Sequence, residues 1–199
     1  MLKLDHIALG ANDLDKASQT LSEQLGVLPF GGGEHELFGT HNKLWRIETD
    51  LYPIYLELIA VNPNAVPKRP RWFGLENVFP SDEIHLLGFI AGTDAIDEAV
   101  KAPPFQQLEV IDVTRGAQSW KFGITHDGGL LADGALPYLI EWQGEKHPLD
   151  GVAPQGLKLQ EMAGNSLHKL AFDFPIGEAD AKFSVSIQTP SGRLLRWTR

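Results

Sequence analysis

Hydrophobic and polar residues near the start of the chain alternate with a period of two, then follow a helical period, and then alternate again. Residues 2–11, LKLDHIALGA, alternate and are rich in Ile and Leu, which predicts a strand. Four apolar residues at helical spacing follow: Leu14, Ala17, Leu21 and Leu25. Asn12 or Asp13 is suited to cap the first turn and Gly26 to end the last, so we predict an amphipathic helix. The runs KLWRIET and YPIYLELIAV predict two further strands.

Three consecutive glycines, at 31–33, follow this helix. A glycine-rich phosphate-binding loop lies between a strand and a helix and ends in Gly-Lys-Ser or Gly-Lys-Thr. Neither feature is present in this stretch of the sequence. We therefore predict a loop or bulge at these glycines rather than a phosphate site.

The same order of elements returns in the second half of the chain. IHLLGFIAG predicts a strand, TDAIDEAVKA a short helix, and three strand-like runs follow: FQQLEVIDVTR, QSWKFGITHD and LPYLIEWQG. The stretch between the two copies has prolines at 63, 67, 70 and 80, which excludes a central strand. We predict an α+β fold with a strand–helix–three-strand (βαβββ) module at 1–61, a connector at 62–83, a second such module at 84–150 and a short C-terminal β extension at 151–199.

Composition and charge narrow the classes of function. Of the 199 residues, 43% are hydrophobic and 22% are charged, which is the balance of a soluble globular protein. The net charge of −9 argues against binding to nucleic acid or an anionic membrane, which needs clustered Lys and Arg. The chain has no cysteine, which excludes disulfides, thiolate catalysis and Cys-ligated metals. No apolar run approaches the roughly 18 residues of a membrane helix, so we expect a cytoplasmic protein.

Several motifs are similar to those of a known family and occur in its order: LDHIALGANDLDKA, GGGEHELFGTHNKLWRI, YLELIAVNP, RWFGL, and LPYLIEW followed by HP. With its two βαβββ modules, the chain resembles the glyoxalase-like domain branch of the vicinal oxygen chelate superfamily, which includes glyoxalases, bleomycin resistance proteins and dioxygenases. The resemblance implies an open barrel around a cleft, a small-molecule substrate or ligand, and a divalent metal at the cleft floor. It leaves open whether the barrel closes within one chain or between the two chains of a homodimer.

The metal ligands of this superfamily come from the first and last strands of each module. Carried over by position, the resemblance gives His6 and Glu57 from the first module and Glu141 from the second. Leu87 occupies the remaining position and cannot bind a metal. His85, two residues earlier on the same strand face, is either the substitute, through a register shift of two, or an ordinary strand-edge histidine. Such a set suits Zn, Fe, Mn or Ni. Glu57 and Glu141 are also the catalytic candidates, because the same carboxylate can serve as ligand and base.

Glu57 raises a question of its own because it interrupts the apolar run YLELIA. A buried carboxylate needs a partner, so Glu57 faces the cleft with a metal, faces it hydrogen-bonded to His6 without a metal, or points to solvent. The segment GTHN adds three candidates for substrate binding: Thr40, His41 and Asn42. Their alternative role is to satisfy the backbone of a loop.

Two further expectations concern the second module and the remaining histidines. Strand alternation in YLIEW places Glu141 toward the cleft and Trp142 on the outer side of the sheet. Three histidines are expected at the surface: His35, His126 and His147.

Three functions fit these residues. The first is a glyoxalase-like enzyme, a lyase, isomerase or ring-cleaving dioxygenase, that uses a metal to act on a small oxygenated substrate. The second is a non-catalytic protein of the same fold that binds an antibiotic-like small molecule. The third is a metal-free enzyme in which His6, His41 or Glu57 is the general base. The enzyme is our prediction, and the binding protein is its alternative.

Overall fold

The computed structural model describes residues 1–76, 79, 81–165 and 170–199. Residues 77, 78 and 80 of the predicted connector and residues 166–169 of the predicted C-terminal extension lie outside the described residues. The elements of the first module are β1 (Lys3–Gly10), α1 (Leu14–Leu25), β2 (Gly31–His35), β3 (Thr40–Glu48) and β4 (Ile54–Val61).

The second module repeats this order of elements. They are β5 (His85–Gly92), α2 (Ile96–Ala99), β6 (Leu108–Arg115), β7 (Gln118–Thr125) and β8 (Tyr138–Gln143). Three further strands follow, namely β9 (Leu157–Ala163), β10 (Ser184–Gln188) and β11 (Leu194–Thr198). Short 3-10 turns lie at Trp72–Gly74 and Leu131–Gly134. Neither helix of the described chain has the length and apolar character needed to cross a bilayer.

The described strands form one sheet, in the order β11-β10-β9-β3-β4-β1-β5-β8-β7-β6, with β2 paired to β3. In each module the first strand runs parallel to the last, β1 with β4 and β5 with β8. The modules join through the antiparallel pair of β1 and β5, and β9 extends the first module by pairing in parallel with β3. The expected α+β class is confirmed, with two βαβββ modules in an open arrangement and a C-terminal β extension.

Helix α1 begins and ends at its capping residues. The Asp13 side chain accepts a hydrogen bond from the Lys16 backbone N–H at 3.0 Å, and Gly26 ends the helix with a φ of 75°, in the left-handed region. The apolar stripe of α1 packs on one face of β1, β3 and β4, where Trp45 and Leu56 are fully buried. This packing assigns one face of the first module to the core and leaves the opposite face for the cleft.

A second core lies on that opposite face. Ala8 of β1 and Ile59 of β4 pack there with aromatic residues of the connector and the second module, including Trp72, Phe122 and Tyr138. The apolar contacts hold the two modules against each other, since residues of both contribute to the same cluster. The polar residues at the edge of this cluster form the candidate site.

The three glycines at 31–33 belong to strand β2, so the prediction of a loop or bulge is wrong. A Cβ atom on Gly32 would lie 2.2 Å from the Asn42 carbonyl oxygen, and one on Gly33 would lie 2.9 Å from Cδ of Arg115. Around Gly31, by contrast, no atom lies within 4 Å of the Cβ position. Glycine is therefore required at positions 32 and 33 because another backbone and a long side chain approach closely.

We expect Gly32→Ala to lower the free energy of unfolding by about 1–3 kcal/mol, because the added methyl group overlaps the β3 backbone. The measurement is chemical denaturation followed by circular dichroism. Gly31→Ala is the matched control in the neighbouring residue, and we expect it to change stability by less than about 0.5 kcal/mol. Equal effects of the two substitutions would contradict the close approach of β2 and β3.

Candidate functional site

A cleft with a polar floor and aromatic walls lies between the two modules. Its open part has a volume of about 20 Å³, close to the space that one water molecule needs. The polar residues that line it are His6, His35, Asn42, Glu57 and Arg115. The apolar residues that line it are Leu44, Tyr55, Trp72, Phe73, Trp120, Phe122, Ile140 and Trp142.

The cleft floor carries a buried chain of three charged side chains, Asp5–His6–Glu57. His6 Nδ1 lies 2.6 Å from Asp5 Oδ1, and His6 Nε2 lies 3.5 Å from Glu57 Oε2. The exposed fraction is only 4% for His6 and 5% for Glu57. The Tyr55 ring stacks on the imidazole with a centroid distance of 4.3 Å, which fixes the plane of the His6 ring.

A β-bulge brings Asp5 and His6 together although they are consecutive residues of β1. The pairing of β1 with β5 shifts between Leu4 and His6, so Asp5 has no partner in β5. The shift lets the Asp5 carboxylate reach the same imidazole that faces the cleft. Asp5 also accepts a hydrogen bond from Trp142 Nε1 at 2.9 Å and lies 3.7 Å from His147 Nε2.

Pairing, rather than burial, sets the charge of these groups. Burial by itself opposes the imidazolium, but the hydrogen bonds to Asp5 and Glu57 outweigh it and raise the pKa of His6 to about 9. Burial likewise opposes the carboxylate form of Glu57, but hydrogen bonding to His6 and the charge of His6 lower its pKa to about 2. The pKa of Asp5 is also lowered, against the effect of burial, by hydrogen bonds to His147 and His6. Around neutral pH the floor therefore holds one imidazolium between two carboxylates.

Asn42 connects Glu57 to the second module. Its Nδ2 donates a hydrogen bond to Glu57 Oε1 at 2.5 Å. Its Oδ1 accepts from the Gly33 backbone N–H at 2.9 Å and from Arg115 Nη1 at 3.3 Å. These partners fix the orientation of the amide, because the oxygen faces two donors and the nitrogen faces a carboxylate.

His35 is neutral and forms the rear wall of the polar strip. Burial lowers the pKa of His35 to about 3, and the positive charge of Arg115 adds to this effect. Arg115 Nη1 donates to His35 Nε2 at 3.1 Å, so the ring proton is on Nδ1, which lies 3.2 Å from Thr40 Oγ1. Thr40 Oγ1 also accepts a hydrogen bond from Trp72 Nε1 at 3.1 Å, which ties the connector to β3.

The structure brings together only some of the residues that the sequence singled out. Glu57, His6 and Asn42 line the cleft, and Thr40 supports it from behind. His41 lies on the opposite face of β3 because side chains alternate along a strand, and it does not line the cleft.

Glu141 is placed away from the cleft floor. Its Oε2 accepts a hydrogen bond from the Ile96 backbone N–H at 2.8 Å and its Oε1 accepts from Gln143, so it satisfies the first turn of α2. The expected orientation of β8 is therefore wrong, since Ile140 and Trp142 face the cleft and Glu141 faces the helix. The alternation of side chains along β8 was predicted correctly, but the position of α2 determines which face of β8 lines the cleft.

His85 is also separate from the cleft floor. It lies at the start of β5, where it pairs with Gly10, whereas His6 lies opposite Ile90 of the same strand. Its ring stacks on Phe79 with a centroid distance of 4.5 Å.

The residues present do not form the expected metal site. Among the described residues, no cluster of three or more His, Asp or Glu side chains is arranged to hold a metal ion. The second module contributes Trp120, Phe122 and Ile140 where further ligands would be needed.

Asp5, His35 and Arg115 are the site residues that sequence reasoning missed. His35 was expected at the surface and is 4% exposed instead, whereas the His126 side chain is 96% exposed, as expected. Asp5 depends on the β-bulge, which no residue pattern indicates. The one available signal for Arg115 was the glycine-rich β2 strand, since glycines mark a close approach by another group.

We expect the free energy of unfolding to fall as pH rises through about 9, because the His6 imidazolium then loses its proton. Since the folded pKa of His6 lies above its ordinary value of 6.5, its contribution is complete below pH 6.5. Glu57 has the opposite sign: its contribution is complete above its ordinary pKa of 4.5 and is lost as pH falls toward about 2. The two contributions are thus both present between pH 4.5 and 6.5.

Urea denaturation at pH 6 and at pH 9.5 tests this dependence. His6→Gln should lose about 3–5 kcal/mol at pH 6, since two buried carboxylates lose their cation, and should lack the decrease near pH 9. His126→Gln is the exposed control and should keep the wild-type profile. A His6→Gln profile parallel to that of the wild type would contradict a charged His6.

The solved structures that are similar to this chain include two methylmalonyl-CoA epimerases. One is methylmalonyl-CoA epimerase in complex with methylmalonyl-CoA and NH4+, with a TM-score of 0.51, 19% identity, and coverage of 74% of this chain and 99% of that chain. The other is a Streptomyces coelicolor methylmalonyl-CoA epimerase variant in complex with 2-nitronate-propionyl-CoA, with a TM-score of 0.51, 19% identity, and coverage of 72% of this chain and 100% of that chain. At this identity, the likeness shows a shared fold alone.

Sequence comparison gives a more direct result. No sequence among the curated proteins matches the chain. A family model described as glyoxalase-like domain matches residues 4–170, which is most of the sequence and includes both modules and the cleft. The chain therefore belongs to the glyoxalase-like domain family.

Proposed function

We propose that this protein is a glyoxalase-like enzyme of the isomerase or lyase type that moves a proton at a carbon next to a carbonyl group. The observation that carries the proposal is the placement of the Glu57 carboxylate and the His6 imidazolium side by side at the cleft floor, 3.5 Å apart and buried. A base and a hydrogen-bond donor at this spacing can act on adjacent atoms of one small substrate.

The steps follow from the two side chains. Glu57 accepts the proton from the carbon, and the electron pair of the C–H bond moves to the carbonyl oxygen, which gives an enolate. His6 Nε2–H donates a hydrogen bond to that oxygen, while Asp5 holds the ring through Nδ1. Protonation of the enolate carbon by solvent from the opposite face, with release of the proton from Glu57 to solvent, inverts the carbon and completes an isomerisation. Return of the proton from Glu57 to the same face regenerates the substrate, and departure of a group from the neighbouring carbon completes an elimination.

The low pKa of Glu57 belongs to the cleft without substrate. There, the carboxylate is stabilised by His6 and by Asn42. The contact between Glu57 and His6 is long, at 3.5 Å, so a substrate oxygen competes well for the Nε2–H. When the imidazolium turns its hydrogen bond to the substrate, Glu57 loses part of its stabilisation and becomes a stronger base.

Two of the similar structures guide the choice of substrates to assay. Both are methylmalonyl-CoA epimerases, and one holds methylmalonyl-CoA. An epimerase is an isomerase, which agrees with the proton transfer proposed for this chain. We therefore include methylmalonyl-CoA beside 2-oxo acids in the assays, and the expected signal is exchange of a carbon-bound proton with solvent.

A second candidate is the non-catalytic binding protein. The observation that favours it is the aromatic wall of the cleft, where Trp72, Trp120 and Trp142 offer large apolar surfaces to a flat ligand. The two candidates differ in one measurable respect. A binding protein holds the ligand without exchange of its protons, whereas the enzyme exchanges them.

We expect Glu57→Gln to reduce proton exchange by about 10²–10⁴-fold, because the amide cannot accept the proton. The measurement is NMR of methylmalonyl-CoA and 2-oxo acids in D2O with catalytic amounts of protein. Glu141→Gln is the matched control, since Glu141 faces α2, and it should keep the wild-type rate. Loss of exchange in Glu141→Gln with retention in Glu57→Gln would contradict the assignment of Glu57.

Exchange should also be unaffected by dialysis of the protein against EDTA. The reason is that the described side chains give no three-ligand site. The thermal midpoint should likewise stay the same when Mn²⁺, Ni²⁺ or Zn²⁺ is added. A loss of exchange that one of these ions restores would contradict the proposed role of His6.

A further inference from the structure

We infer that Arg115 anchors a carboxylate of the substrate, so that the substrate class is a small organic acid with a flat apolar group. The assignment of a reacting carbon near Glu57 rests on the proposed function, whereas the anchoring of the carboxylate does not. Arg115 is the last residue of β6, in the second module, and its side chain reaches across to line the cleft beside Asn42 and His35 of the first module.

The first support is that the guanidinium is held in place by neutral groups. Its hydrogen bonds go to His35 Nε2, Asn42 Oδ1 and Gln118 Oε1, at 3.1, 3.3 and 2.9 Å. All three of these acceptors are uncharged, and the carboxylates nearest on its outer side, Glu34, Glu36 and Asp112, border a separate surface groove. These acceptors take three of the five guanidinium donors, which leaves two for other acceptors. An arginine held at a cleft by uncharged acceptors is suited to bind an anion.

The second support is that the first module leaves space for the Arg115 side chain. A Cβ atom on Gly33 would lie 2.9 Å from Arg115 Cδ, so the absence of a side chain at position 33 leaves the path open. The neighbouring Trp120 ring lies 5.9 Å from the guanidinium carbon and covers one of its faces. The guanidinium is therefore placed by its packing as well as by its hydrogen bonds.

The third support is the charge arrangement along the cleft. Glu57 is negative and Arg115 is positive, and the Asn42 amide lies between them with one hydrogen bond to each. An organic acid that lies along this axis places its carboxylate at Arg115 and its distant carbon near Glu57. The reverse orientation would bring two carboxylates together and is unfavourable. The polarity of the cleft thus selects both an anionic substrate and its direction.

The cleft walls indicate the rest of the substrate. Trp120, Phe122 and Trp142 are apolar and flat, and they suit an aromatic group. Because the open volume is about 20 Å³, such a group must displace side chains of the wall.

The test compares a carboxylate with its uncharged isostere. Binding of phenylacetate, phenylpyruvate and phenylacetamide is measured by isothermal titration calorimetry with the full chain. Wild type should bind phenylacetate at least about tenfold more tightly than phenylacetamide, because a charged hydrogen bond is lost in the amide. In Arg115→Gln this ratio should fall to near one, with little change for phenylacetamide itself.

Two further variants separate the anchor from a general effect. Arg193→Gln removes the same charge from an exposed position and should bind as the wild type does. Arg115→Lys keeps the positive charge but loses the planar pair of donors that can bind both carboxylate oxygens. It should therefore retain only part of the preference for carboxylate. Equal binding of phenylacetate and phenylacetamide to the wild type, or an unchanged ratio in Arg115→Gln, would overturn the proposal. So would a lack of phenylacetate and phenylpyruvate binding at millimolar concentrations.

Failure of the anchor and failure of the proposed chemistry give different results. If the carboxylate preference depends on Arg115 but phenylpyruvate and the other assayed compounds exchange no proton, the anchor stands and the enzyme proposal fails. If exchange occurs and Arg115→Gln leaves the KM for phenylpyruvate unchanged, the enzyme proposal stands and the anchor fails. Glu141→Gln, which lies away from the cleft floor, should bind phenylacetate as the wild type does.

Discussion

The ionic chain of Asp5, His6 and Glu57 is the constraint on which the cleft depends. Buried charges are stable only when they are paired, and here one imidazolium is shared by two carboxylates on neighbouring parallel strands. The pairing requires β1 to lie beside β4 in a fixed register and requires the bulge that turns Asp5 toward His6. The sheet and its charge pattern are thus mutually dependent, because a slip of one residue would leave unpaired charges in the interior.

This charge pattern also gives the cleft its chemical character. A cation at the cleft floor stabilises negative charge that develops on a substrate oxygen, whether the cation is a metal ion or an imidazolium. In this chain the described residues supply an imidazolium, and the neighbouring wall of the second module is made of Trp120, Phe122 and Ile140. The glyoxalase-like fold and the positions of His6 and Glu57 are compatible with this arrangement, because two strands of one module suffice to build it.

A second consequence concerns how the two modules act together. The hydrogen bonds run from Glu57 through Asn42 to Arg115, and from Arg115 through His35 and Thr40 to Trp72. They join strands of the first module to the end of β6 and to the connector. A ligand that contacts Arg115 therefore contacts a group whose position depends on both modules. Gly32 and Gly33 allow these hydrogen bonds to form, because a side chain at either position would overlap the Asn42 backbone or the Arg115 side chain.

Local periodicity and capping residues were sufficient to predict the repeated order of strands and helices, and a resemblance in motifs identified the family. Those features depend on neighbouring residues, which the sequence displays directly. The sequence also indicated that Glu57, His6 and Asn42 are polar groups in strands that bury their apolar neighbours. Each of these side chains does line the cleft.

Tertiary structure alone decided which further residues join His6, Glu57 and Asn42 in the cleft. Which face of β8 lines the cleft depends on where α2 packs. Trp142 therefore lines the cleft in place of Glu141, which the sequence had predicted there. Asp5 joined the site through a bulge, and Arg115 through a contact between residues that lie 73 positions apart. Single-sequence patterns contain the period of each strand but neither its absolute face nor its distant neighbours, because those are fixed only when separate elements pack against each other.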